Sequence, residues 1–338
     1  MTGSDRQRGW LRLGVGTAIV ALLAFFFYLS QTSLASVRDN PDYRFDPRRV
    51  DLGKSHPDWL VTPSLKRAFF ASYLHVCGPP FSLLDEEAIA AFESRLRTSP
   101  WIEKVVATPR LPHGMGLALT LRRPAAATVD PHGRLWLLAG DGMPLPLKPD
   151  EPVREWEHRL APLRLVRGPL ALPGEERVWS PDQRPFGLPL LFGGLALDVR
   201  VPARESGRRH SAEGAQIAAL VRKRVLPELR RRWPDLPPFL GVDISNAGLR
   251  LLMAQAEYRL ILLDPQGRPV YLSWGHSPTT PYAEIPWQDK TRNLVRLLEA
   301  WPRLEGIRWA DLRWSQSWQG HVESRSEGRQ ERGSQKVR

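Results

Sequence analysis

The sequence predicts an α+β protein: an N-terminal transmembrane helix, a small β-α-α-β-β domain, then a larger, mostly antiparallel β domain with two helices. Three observations carry this. A 17-residue run without a charge, Leu13–Leu29, stands near the N-terminus. Two helix-periodic stretches and then two strand-like stretches follow it. From Pro124 onward, short β-type runs separated by Gly, Pro and Asp-Gly turns dominate. A chain of 338 residues can bury a core and hold two domains. Its 32 prolines, about twice ordinary usage, foretell many loops and few long elements.

The expected order begins with a tail over 1–12 and a transmembrane helix over 13–30. At 1.5 Å per residue the uncharged run reaches roughly 26 Å, close to a hydrocarbon thickness of ~30 Å. Arg6, Arg8 and Arg12 precede it against Asp5 alone, whereas Gln31–Leu60 holds five basic and five acidic residues. That bias places the N-terminus in the cytoplasm and the bulk of the chain outside, as a single-pass protein of the inner membrane. A cleaved signal peptide is the rival, with Ser33 and Ala35 at small-residue positions, although the run is longer than a usual signal core. Residues 31–57 read as a polar linker carrying Pro41, Pro47 and Pro57.

The small domain is expected over 58–123. Trp59–Val61 supplies a shortened first strand. Residues 62–75 place Leu65, Ala68, Phe69 and Tyr73 at helical spacing behind Pro63. Asp85, Glu86 and Glu87 open a second helix and Arg95 and Arg97 close it, each charge suited to its end of the helix dipole. Ile89, Phe92 and Leu96 form its apolar stripe. Trp101–Thr108 and Gly116–Arg122 follow as a strand pair, with Leu117, Leu119 and Leu121 on one face of the second. The turn between them holds Pro109, Pro112 and Gly114.

The β domain is expected over 124–318. Residues 148–190 carry eight prolines and little periodicity, and read as long loops with short strands. Ser211–Leu226 reads as a basic amphipathic helix that Pro227 interrupts. The segments beginning at Gly241 and Tyr258 read as strands, with Asp264–Gly267 as a turn. Residues 289–301 form the last helix, burying Leu294, Leu297, Leu298 and Trp301, and Gly306–Gln316 the final strand. Residues 319–338 are polar and read as a disordered tail. No internal repeat is evident.

Reactive chemistry is hard to find. The eight histidines are scattered, and the single cysteine, Cys77, permits no intrachain disulfide. His75 and Cys77 could share a metal, but no second pair stands near them, so no metal or cofactor is expected. Asp85–Glu87 are explained by their helix N-terminus. Phosphate loop, dinucleotide fingerprint and nucleophile elbow are all missing, and the chain reads as a non-enzyme. The net charge of +12 is uneven: Arg200–Trp233 holds ten Arg or Lys against three acids. Export argues against nucleic acid, leaving anionic lipid, cell-wall polymer or a merely solvated helix face.

Four segments taken in order resemble a known family. "SPWIEKVVATPRLPHGMGLALTLRRPAAATVD" (99–130) looks like the strand pair of a POTRA domain, and "GRLWLLAGDGMPLPL" (133–147) like the segment after it. "LPLLFGG" (188–194) is similar to a Leu-Pro-x-Leu-x-Gly element before a helix, and "GIRWADLRWSQSW" (306–318) to a closing strand. Together they resemble the FtsQ/DivIB cell-division proteins. A usual first POTRA strand with its Gly is not evident. The hairpin holding "GHSPTTPYAEIPW" is enlarged.

The resemblance implies a POTRA domain and a β domain behind one membrane span, acting without catalysis as a scaffold for septal wall synthesis. In that family the last strand pairs with the coiled-coil protein FtsB, itself bound to FtsL. By position this places partner contacts on Ile307, Arg308, Trp309, Asp311, Leu312, Arg313, Trp314 and Trp318, with Trp314 and Trp318 as aromatic anchors. Asp311 and Arg313 serve equally well as an inward pair fixing the strand. The alternative from another class is an exported POTRA-bearing assembly factor for outer-membrane or secreted proteins.

Overall fold

The computed structural model describes residues 20–29, 40–50, 57–60, 62–167, 178–193, 205–247, 256–276, 285–314 and 321–325, apart from 113, 131 and 149. Residues 20–29 are helical. Among the described residues no helix is long and apolar enough to cross a membrane. This overturns the expected transmembrane helix over 13–30, of which residues 13–19 and 30 lie outside the described ones.

The chain divides into two compact units: residues up to 56 with 72–121, and 57–71 with 122 onward. Both share helix α1 (Pro63–Val76), whose last turn belongs to the first unit. In that unit, β1 (Arg44–Phe45) pairs antiparallel with β2 (Phe81–Ser82). The first strand therefore comes from the expected linker; of Trp59–Val61, where it was expected, residues 59 and 60 form a turn and residue 61 lies outside the described ones. Aromatic burial explains the change. Phe45 and Phe81 stack edge-on at 5.5 Å, and both lie against Phe92, at 6.0 and 5.3 Å. Phe92 stands on helix α2 (Glu86–Arg97), whose N-cap Asp85 accepts the Ala88 amide at 3.1 Å. The Tyr73 hydroxyl reaches back to the Pro47 carbonyl at 2.9 Å, tying the 40–50 segment to the end of α1.

Strands β3 (Ile102–Arg110) and β4 (Gly114–Leu121) form the predicted hairpin, with Val105 paired to Leu119. Leu117, Leu119 and Leu121 are half-buried while Ala118 and Thr120 are exposed, which is the alternation read from the sequence. Pro109 and Gly114 belong to the strands, so the turn is tighter than expected. Glu93 of α2 accepts the Ala107 amide at 2.7 Å and fastens the helix to β3.

The second unit is built on a nine-stranded sheet. Its strands are β5 (Pro124–Val129), β6 (Leu135–Ala139), β7 (Pro144–Leu145), β8 (Leu190–Phe192), β9 (Phe239–Asp243), β10 (Tyr258–Leu263), β11 (Pro269–Gly275), β12 (Ile307–Asp311) and β13 (Val322–Ser324). Their order is β13-β12-β11-β10-β9-β8-β5-β6-β7. The pairs β5–β8, β8–β9 and β11–β12 are parallel and the other five antiparallel, so the mostly antiparallel expectation stands. Gly241 lets β8 approach β9: a Cβ there would fall well inside contact distance of the Leu190 carbonyl oxygen.

Helices cover the sheet. Helix α3 (Glu151–Arg167) occupies the stretch expected to be loops, burying Val153 and Leu160. Two of its prolines concealed it, although Pro152 sits in the first turn, where a missing N–H costs nothing. Helix α4 (Glu205–Leu220) runs through a π turn, Val221–Val225, into α5 (Leu226–Arg232). Pro227 thus continues the helix instead of interrupting it, because it falls in the first turn of α5. Helix α6 (Trp287–Ala300) is the crossover that a parallel β11–β12 pair requires. Ala215, Val221 and Leu229, with Leu294, Leu297 and Leu298, share one apolar core with β9–β12.

An internal repeat, unexpected from the sequence, lies in the turns. Asp130–Arg134 joins β5 to β6 and Asp264–Arg268 joins β10 to β11, both reading Asp-Pro-x-Gly-Arg. In each, the glycine takes a positive φ of 81° or 75°, and its amide donates to the aspartate carbonyl at 2.9 Å. The carboxylate is buried and accepts from the amide of the motif's arginine and from its guanidinium, at 2.9 and 2.7 Å for Asp130. For Asp264 the same two bonds measure 2.8 and 2.7 Å.

Candidate partner interface at the sheet edge

Of the eight residues expected to meet a partner, seven fall on β12 and its exit. Ile307, Asp311 and Leu312 are buried, at 0%, 4% and 1% exposure. Their side chains belong to the core, which leaves only their backbone to a partner. Asp311 accepts from the Arg313 amide at 3.0 Å and from its guanidinium at 2.6 Å. Of the two readings for this pair, the inward one is found: it closes the end of β12. The Trp309 indole donates to Ser273 Oγ on β11 at 2.9 Å. Asn293 of α6 donates to the Leu312 and Trp314 carbonyls at 3.0 and 2.6 Å, fixing the chain where it leaves the sheet. Trp318 lies outside the described residues.

Strand β12 is not the edge of the sheet. Strand β13, taken from the segment expected to be disordered, lies antiparallel on it and pairs Ala310 with Val322 and Ile307 with Ser324. Its hold is short and irregular, with a register shift between Ile307 and Trp309. Side chains secure it. Arg308 meets Glu323 at 2.8 Å, the Arg325 amide donates to the Gly306 carbonyl at 2.8 Å, and the Arg325 guanidinium donates to the Pro269 carbonyl at 2.7 Å. Trp314 stacks on His321 with centroids 4.7 Å apart and planes 10° from parallel, yet keeps 47% of its surface exposed. Sequence reasoning missed β13 because it holds one apolar residue, Val322, in a polar tail. Backbone pairing with β12, not its own propensity, makes it a strand.

At the opposite margin, β7 is two residues long. Both edges therefore end in minimal strands, the usual means of limiting uncontrolled pairing.

Elsewhere one polar network is partly buried. Tyr258 on β10 donates to Glu213 of α4, whose other carboxylate oxygen accepts from Arg209 at 3.0 Å, and His210 Nδ1 lies 3.3 Å from the Tyr258 hydroxyl. Burial, and then the Glu213 carboxylate, push the Tyr258 hydroxyl well above the ordinary phenol range. Burial alone would raise Glu213; the bonds from Tyr258 and Arg209 outweigh it and hold the carboxyl below its usual range. This network pins α4 to the sheet. Cys77 is buried and His75 exposed, so the two share no site. Among the described residues no cluster of three His, Cys, Asp or Glu is placed to hold a metal.

No protein-family model matches the chain, and no curated protein matches it.

Proposed function

We propose that the chain is a non-enzymatic scaffold of bacterial cell division, in the manner of the FtsQ/DivIB proteins it resembles. It holds FtsB/FtsL-like coiled-coil partners by strand addition at the C-terminal margin of its sheet. The observation that carries this reading is the cover over β12. Three residues of the chain's own C-terminal region occupy the edge, in broken register. A partner strand that displaces β13 gains the whole of Ile307–Asp311, and an exposed Trp314 beside it supplies an anchor of the kind that dominates interfaces. Asp311 and Arg313, bonded to each other, hold the end of β12 in this reading.

The test is a pull-down of the small coiled-coil division proteins with the full chain. Removing residues 319–338 uncovers β12, and recovery of the partners should rise. Trp314→Lys should lower it. If neither change moves recovery while the fold is retained, the β12 edge is not the contact and the scaffold reading loses its support.

A further inference from the structure

A cavity of about 250 Å³ in the second unit is lined by the start of β5, the end of β6 and the π turn that joins α4 to α5. Pro124, Gly140 and Pro227 form its walls, and three cations, Arg123, Arg222 and Lys223, stand around it. Among the described residues no acidic side chain lines it. Four other arginines of this unit are matched: Arg134 meets Asp130, Arg259 meets Asp243, Arg268 meets Asp264 and Arg313 meets Asp311. Around this cavity three cations stand together. Burial, then Arg123 and Arg184, hold the Arg222 guanidinium below its ordinary range, and burial and Arg230 do the same to Arg184.

Gathering like charges in a partly enclosed site is unfavourable unless an anion completes it. The placement on a π turn points the same way. Such turns cost helix geometry and recur at functional sites, and this one carries both Arg222 and Lys223. Size and charge select the ligand. The volume lies below the roughly 300–1,000 Å³ of pockets for drug-sized ligands. A carboxylate brings one negative charge, whereas a phosphate ester brings about −1.5 to −2 and three acceptor oxygens, which suit guanidinium forks. We propose that this cavity binds a phosphate group, carried either by a free phosphate ester or by a lipid headgroup. The proposal goes beyond the scaffold role and stands without it.

The experiment is calorimetric titration of the full chain with inorganic pyrophosphate at low salt. Saturable one-site binding is expected, weakened about tenfold or more by Arg222→Glu, the worth of one charge-assisted hydrogen bond. Arg154→Glu, an equal charge change on an exposed residue of α3, should leave binding unchanged. Should Arg222→Glu alter the circular dichroism spectrum, the exposed Lys223→Gln takes its place. Co-sedimentation with phosphatidylglycerol vesicles, set against phosphatidylcholine vesicles, separates the two sources. Arg222-dependent sedimentation that pyrophosphate competes away assigns a headgroup, and pyrophosphate binding without sedimentation assigns a free phosphate. Absence of saturable pyrophosphate binding, or an equal loss in Arg154→Glu, would overturn the proposal.

Discussion

Asp130 accepts the amides of His132 and Arg134, the Arg134 guanidinium and the Trp136 indole, and it does so 1% exposed. Burial by itself would raise its carboxyl; these donors, led by the Arg134 amide, overcome burial and hold it below the usual range. Asp130→Ala would leave these donors without their acceptor and should cost about 3 kcal/mol in urea unfolding. A loss under about 0.5 kcal/mol, the size of an ordinary surface change, would show that the turn holds without its carboxylate. Protonation acts in the same direction. Asp130 and Glu213 both have folded-state values below their unfolded ones, so their stabilisation is complete above the unfolded values of about 4. It is lost as pH falls through the lower folded values. Unfolding followed against pH should therefore show stability dropping below about pH 4, with a shallower drop in Glu213→Gln. An unchanged slope in that variant would remove Glu213 from the account.

At the scale of elements, short strands succeed here through what they pair with. Strand β8 has three residues, and it sits between β5 and β9 because Gly241 clears space for its backbone. Gly241→Ala should destabilise the unit by about 2 kcal/mol or more through overpacking, read as a fall in the urea midpoint; an unchanged midpoint would show that the strands can part without cost. Strand β13 depends on β12 in the same way. Arg325 joins it to the Pro269 carbonyl and approaches Asp264 at 3.9 Å, so the β10–β11 turn and the sheet margin are linked. Hydrogen exchange should find the amides of 322–324 opening well before those of β10 and β11. Equal protection would mean that β13 is a permanent part of the sheet and would count against its displacement by a partner.

For the whole molecule, the division role predicts where the protein works. A fluorescent fusion should gather at the division site as cells constrict. An even distribution around the envelope through the cell cycle would contradict the reading. The exported assembly-factor alternative predicts that even distribution.

The sequence by itself determined the parts whose signals are local. Leu65, Ala68, Phe69 and Tyr73 repeat at helical spacing and are buried in α1. The alternation of Leu117, Leu119 and Leu121 and the turn at Asp264–Gly267 follow from short-range backbone and side-chain chemistry. Of the candidate interface, the strand at Ile307–Asp311 was legible, because its apolar and polar residues are patterned along a few positions. Only the tertiary structure decided the rest. Phe45 pairs across the chain with Phe81 and Phe92, so a segment read as linker becomes a strand. Helix α3 gains its burial from the sheet in spite of its prolines. The π turn carries the helix on to Pro227, bringing Arg222 and Lys223 to one cavity with Arg123. The covering of β12 by β13 needs a backbone partner that lies outside its own segment. In each case the deciding energy comes from contacts distant in sequence, which a local pattern does not contain.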